Sequence, residues 1–190
     1  MGISLSKGGR VNLSKEAPSL KNIGVGLGWD TNISDSGAEF DLDASVFMID
    51  ASGKVPEDKY FVFYNNLQSP DGAIVHQGDN RTGEGEGDDE SLTIDLKKIN
   101  PSITELVFVV TIDDAIKKSQ NFGQVSNAFI RIYDLDTNVE IAKYDLDEDF
   151  SAETAIEFGR LYQRDNSWRF KAVGTGYNNG LQGFVDLFIS

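Results

Sequence analysis

Residues 79–96, DNRTGEGEGDDESLTIDL, decide the fold class, because an acidic loop punctuated by glycine runs straight into a segment that alternates apolar and polar. In SLTIDL (91–96) the apolar Leu92, Ile94 and Leu96 fall at every second position, the period of a half-buried strand and not that of a helix. The twelve residues 79–90 before it hold six carboxylates and three glycines, with Arg81 the only base. So many like charges in one short loop repel one another and call for a counter-charge. Calcium suits such a loop, since it takes about 6 to 8 oxygens in a tolerant geometry, whereas magnesium demands a tighter octahedron and keeps its water. Glycines at 83, 85 and 87 let the backbone turn its carbonyls inward through positive φ. The competing reading is a solvated acidic turn.

The loop is not an EF-hand. Asp79 and Glu90 have the separation of that motif's first and twelfth positions, but Arg81, Gly83 and Glu84 stand where it requires an acid or amide, another, and Gly. A strand-like exit also replaces the helix that should follow. Asp134-Leu135-Asp136-Thr137-Asn138 imitates the front half of the same motif. Val139 then takes the glycine position and 139–144 alternates, so a polar hairpin turn is the better reading. Repeated Gly-Gly-x-Gly-x-Asp units of a calcium solenoid do not occur.

Outward from this stretch, period-two alternation closed by turn residues recurs along the chain, which predicts an all-β antiparallel sandwich. Strands are expected at 3–5, 11–13, 23–29, 42–49, 60–64, 92–96, 106–112, 128–134 and 139–145. A final hairpin is expected at 156–163 and 167–173 around Arg164-Asp165-Asn166. Short helices are expected at 114–121 and 181–188. No linker divides the 190 residues, so they are read as a single domain, 1–190.

The net charge of −14 argues against nucleic acid as a partner. There is no cysteine, which removes disulfides, thiolate metal sites and thiol redox chemistry. No apolar run approaches the roughly 20 residues of a membrane helix, and the N-terminus lacks a signal-peptide core, so a cytoplasmic protein without membrane insertion is expected. His76 is the only histidine. It is expected to be exposed, and a His-based nucleophilic relay is disfavoured. Gly24-x-Gly26-x-Gly28 precedes Trp29-Asp30 and not a helix, so it fails as a dinucleotide fingerprint and reads as close strand packing. Gly174-x-Gly176 leaves a weaker nucleotide-binding alternative.

The segments SLSKGG (4–9), GLGWD (26–30), FDLDAS (40–45), YFVFYNN (60–66), GDNRTGEGEGDDE (78–90), FVVTI (108–112), FGQV (122–125), AFIR (128–131) and WRFKAVGTGY (168–177) together resemble the TerD family over nearly the whole chain. That resemblance implies a β-sandwich that binds calcium on an acidic face. It also implies a non-enzymatic part in bacterial tellurite resistance and stress response, alongside other stress-system proteins that include membrane-associated ones. Carried over residue by residue, it assigns Asp30, Asp41, Asp43, Asp79, Glu84, Asp88, Asp89 and Glu90 as calcium ligands. Asp41 and Asp43, two apart on an extended strand, point the same way and form a second wall facing the loop. Eight carboxylates exceed the needs of one ion, so two Ca²⁺ ions are expected. Metal-assisted phosphoester hydrolysis is the enzymatic rival.

Overall fold

Alternation is clearest in β3 (Asn22–Thr31), where Ile23, Val25, Leu27 and Trp29 are all buried and glycine occupies each position between them. The computed structural model describes residues 2–31, 40–78 and 87–189; Asp79 and Glu84 lie outside the described residues. The other strands are β1 (Ile3–Leu5), β2 (Arg10–Asn12), β4 (Leu42–Asp50), β5 (Phe61–Val62), β6 (Ile74–His76), β7 (Glu90–Asp95), β8 (Ile103–Ile112), β9 (Val125–Asp134), β10 (Val139–Asp145), β11 (Ala155–Arg164) and β12 (Ser167–Tyr177). Helices are α1 (Leu13–Glu16), α2 (Ala115–Lys118) and α3 (Gly180–Phe188).

The strands form two six-stranded sheets, β1-β10-β9-β3-β7-β6 and β2-β12-β11-β8-β4-β5, packed as a β-sandwich. Among the described residues all strand pairings are antiparallel except one: β1 runs parallel to β10, so the first sheet is mixed. The expected hairpin is present, with Asp165 and Asn166 at φ of 52° and 57°, the left-handed pair that a tight two-residue turn requires. The Asp134–Asn138 segment is likewise a turn, closed by Asp134 Oδ1 accepting the Asp136 N–H at 2.9 Å.

Some boundaries differ from expectation. The strand expected at 60–64 is only Phe61–Val62, because Asp58–Tyr60 forms a 3-10 turn and Phe63 doubles back to bridge Asn66. The helix expected at 114–121 shrinks to one turn, since Asp114 and Ser119 both adopt left-handed backbone and stop it at each end.

β4 is buried on both faces from Leu42 to Ile49, which explains the unbroken apolar run 46–49. Phe47 packs against Phe61 and against Phe184 and Phe188 of α3, so the C-terminal helix covers the outer side of the second sheet at this point. Among the described residues no helix is long and apolar enough to cross a membrane.

Candidate metal centre

Glu90 continues the inward alternation of β7, which places a carboxylate between the sheets at 2% exposure. Its Oε2 accepts the Ala44 N–H at 2.6 Å, and the carbonyl of the same Ala44 lies 3.2 Å from His76 Nε2. These contacts fall where β5 no longer pairs with β4, whose last partners there are Val46 and Val62. Side chains of the first sheet therefore take up backbone groups at the margin of the second, as a buried polar group requires. The starts of β4 and β7 are held at one end of the sandwich. The same end receives the end of β8 opposite Leu42, the start of β11 opposite Thr111 and, through Asp30 and Asn127, the end of β3 and start of β9.

His76 is buried, contrary to the expected exposure. It is the inward residue of the short β6, whose Ile74 and His76 are buried on either side of half-buried Val75. Its Nδ1 accepts the Gly78 N–H, and Nε2 stands 3.4 Å from Glu90 Oε2. Burial pulls the imidazole pKa down, but the hydrogen bond and charge of Glu90 outweigh it, so the pKa lies above the ordinary value. Every ring nitrogen is engaged with the protein, so His76 is a positioning group and not a base presented to solvent.

The triplet Asp88-Asp89-Glu90 sends three carboxylates to three places. Asp88 lies over Gly26, where a Cβ would fall 2.2 Å from its carboxylate. There Arg131 Nε and an Nη grip both its oxygens at 2.7 and 2.8 Å. Gly24 and Gly28 make the same room for the rings of Tyr133 and Phe129, the cross-strand neighbours on β9. The three glycines thus serve close packing across the sheet, as their sequence context indicates. Gly174 and Gly176, within β12, are likewise close-packed, against Tyr144 and against Phe150 and Glu153.

Asp89 is buried, and its Oδ2 accepts the Trp29 N–H at 2.7 Å. Its pKa is raised, first by burial and then by the neighbouring charges of Asp30 and Asp88, with the Trp29 hydrogen bond opposing. Asp30 is exposed beside it and accepts from Asn127 at 2.6 Å. Asp30 and Asp89 line a cavity of about 730 Å³ with Trp29, Asn127, Asp145 and Asp147.

Asp43 shares the face of Phe47, toward α3, and is buried. It opens onto a second cavity of about 560 Å³ whose walls include Tyr64, Thr111, Asp113, Asp114 and Asn179. Asp41 is half-buried, and its carbonyl accepts the Asp113 N–H at 2.8 Å. The structure therefore brings Asp30, Asp88 and Asp89 together, and joins Asp43 to Glu90 through Ala44. Sequence reading missed Asp113, Asp114, Asp145 and Asp147 at the same end. The available signal was position, since each follows or closes a strand that ends there.

A family model described as the TerD domain matches residues 1–188. The chain is 58% identical over 181 residues to "Tellurium resistance protein TerD" of Alcaligenes sp, covering 95% of this chain and 94% of that one. It is 54% identical over 181 residues, with the same coverage, to "General stress protein 16U" of Bacillus subtilis (strain 168). Among solved structures it resembles a homologue of telluride resistance protein (TerD), SCO6318 from Streptomyces coelicolor A3(2). The TM-score is 0.66 at 24% identity, covering 87% of this chain and 95% of the other, a likeness of fold.

Proposed function

The chain belongs to the TerD family, and we propose that within tellurium resistance and the general stress response it is a calcium-binding, non-enzymatic module whose acidic end engages protein partners. The observation that carries this reading is Asp89: a buried carboxylate, fixed by a backbone N–H and crowded by two further carboxylates, is held at a charge density that a divalent cation would relieve.

The donor set suits a hard cation, being oxygen throughout. Among the described residues no three His, Asp or Glu side chains are grouped closely enough to hold a metal ion alone. In our reading Asp30, Asp43 and Asp89 supply oxygens toward ions whose coordination residues 79–86 complete, Asp79 and Glu84 included. Asp88, with both oxygens on Arg131, and Glu90, on Ala44 and His76, position the others by anchoring the triplet. Calcium supplies counter-charge there. The residues do the remainder: Trp29 and Ala44 N–H groups fix two carboxylates, and Arg131 pins the third.

Exposed Tyr64 and Ile116 stand at the rim of the Asp43 cavity, apolar groups beside an acidic wall, and suit a protein partner once the charge is neutralised. The test uses immobilised full-length protein, with calcium or after its removal, in extract of tellurite-stressed cells. A partner retained by wild type in calcium, and lost from Asp89→Asn, is the expected result, with no phosphoester hydrolysis above the metal-free control. Hydrolysis that disappears in Asp43→Asn would replace this reading by a metal-assisted hydrolase.

A further inference from the structure

We propose that the outer face of the second sheet carries a groove for an oligophosphate, bound by Arg10, Lys171, Arg160 and Arg164 on the adjacent strands β2, β12 and β11. The strand register is the starting point. Arg10 lies directly opposite Lys171, and Lys171 directly opposite Arg160, so three bases stand abreast on one face. Like charges in directly opposed positions destabilise a sheet. Such an arrangement persists where something else compensates it, and sites of function are where local rules of this kind are broken.

Arg160 has compensation within the fold: Glu157 takes two of its donors at 2.5 and 3.2 Å, and Glu105 a third at 3.0 Å. For Arg10 and Lys171 no carboxylate among the described residues fills that role. Among the described residues Arg164 has only the exposed Asp165, at 3.8 Å. These four bases with Glu105, Glu157, Tyr162, Val173 and Tyr177 line a groove of about 510 Å³. Four bases against two carboxylates leave it at +2, on a chain whose net charge is −14.

The size and charge select the ligand. A volume of this order matches small-molecule sites, commonly about 300 to 1,000 Å³. An extended polyanion would meet the negative field of the rest of the chain, whereas a compact one is confined to the positive groove. Guanidinium forks fit phosphate oxygens in pairs, and lysine adds a point charge. Tyr162 shares the face of Arg160 and Arg164 on β11, so an aromatic ring stands beside the bases. A free oligophosphate and the phosphate tail of a nucleotide share this chemistry.

Calorimetric titration of the full chain, in low-salt buffer freed of calcium by chelating resin, tests the groove apart from the acidic end. Inorganic triphosphate should bind saturably at one site. Arg10→Gln and Lys171→Gln should each weaken it roughly tenfold or more, and the double variant roughly a hundredfold, as expected for lost charge-assisted bonds. Without ligand, both variants should melt no lower than wild type, because a like-charge contact has been removed. ATP binding at least tenfold tighter than triphosphate identifies the nucleotide as the source; equal affinity identifies the phosphate chain. No saturable binding of either, equal binding by the double variant, or tighter binding of hexaglutamate than of triphosphate would each overturn the proposal.

Discussion

Adding calcium to metal-free protein should raise its unfolding midpoint steeply. Removal of the ions leaves Asp89 buried against Asp30 and Asp88, a repulsion that the Trp29 N–H on Asp89 and the Arg131 guanidinium on Asp88 offset only in part. A ligand that binds only the folded state stabilises it by RT ln(1 + [L]/Kd), about 4 kcal/mol per site when the ion is at a thousand times its Kd. For a chain of this size each kcal/mol moves the midpoint by about 2 to 4 °C, so one filled site corresponds to roughly 8 to 16 °C. Thermal unfolding followed by circular dichroism, with calcium and after its removal, measures this. Identical midpoints would show that the acidic end is a solvated surface.

Replacing Arg160 by Ala should destabilise the fold strongly, although the residue lies outside the acidic end. Glu157 is 2% exposed and has Arg160 on both its oxygens. Truncating the arginine strands a buried carboxylate, a loss of about 3 to 5 kcal/mol by precedent for broken buried pairs. Arg160→Lys should recover only part of it, since an ammonium cannot form the fork. The double change Arg160→Met with Glu157→Leu should lie near wild type, because removing both charges abolishes the desolvation penalty with the pair. Urea unfolding gives all three values. A mild effect of Arg160→Ala would mean that Glu157 is hydrated or protonated when alone.

Most of the sandwich is written in local pattern. Leu92 and Ile94 face inward as their spacing indicates, and Arg164-Asp165-Asn166 sits at the final hairpin because Asp and Asn tolerate left-handed backbone. What the pattern omits is pairing at a distance. The parallel union of β1 with β10 joins Ile3 to Ala142, and nothing within a three-residue strand specifies its partner. The glycines of β3 are legible as a strand, but their purpose depends on Tyr133, Arg131 and Phe129 arriving alongside.

The candidate site divides in the same way. Its carboxylates stand out in the sequence, and their concentration at one end follows from the loops that carry them. Their separate tasks do not. Arg131, which binds Asp88, lies 43 residues away, and Ala44, which Glu90 binds, lies 46 away. His76 was misread because three residues of alternation in β6 are too few to separate an inward position from the approach to a loop.

The end bearing Asp43 and Asp89 should hold calcium, and calorimetric calcium titration of three variants decides whether it does. Asp136 is the control: it hydrogen-bonds Asn22, the first residue of β3, whereas Asp30 stands near the last, about 25 to 30 Å along the strand. Asp43→Asn and Asp89→Asn keep an oxygen but lose a charge, and each should weaken calcium binding by tenfold or more, while Asp136→Asn leaves it unchanged. Loss of binding in Asp136→Asn with retention in the other two would rule out calcium at this end and move the site to the β9–β10 turn.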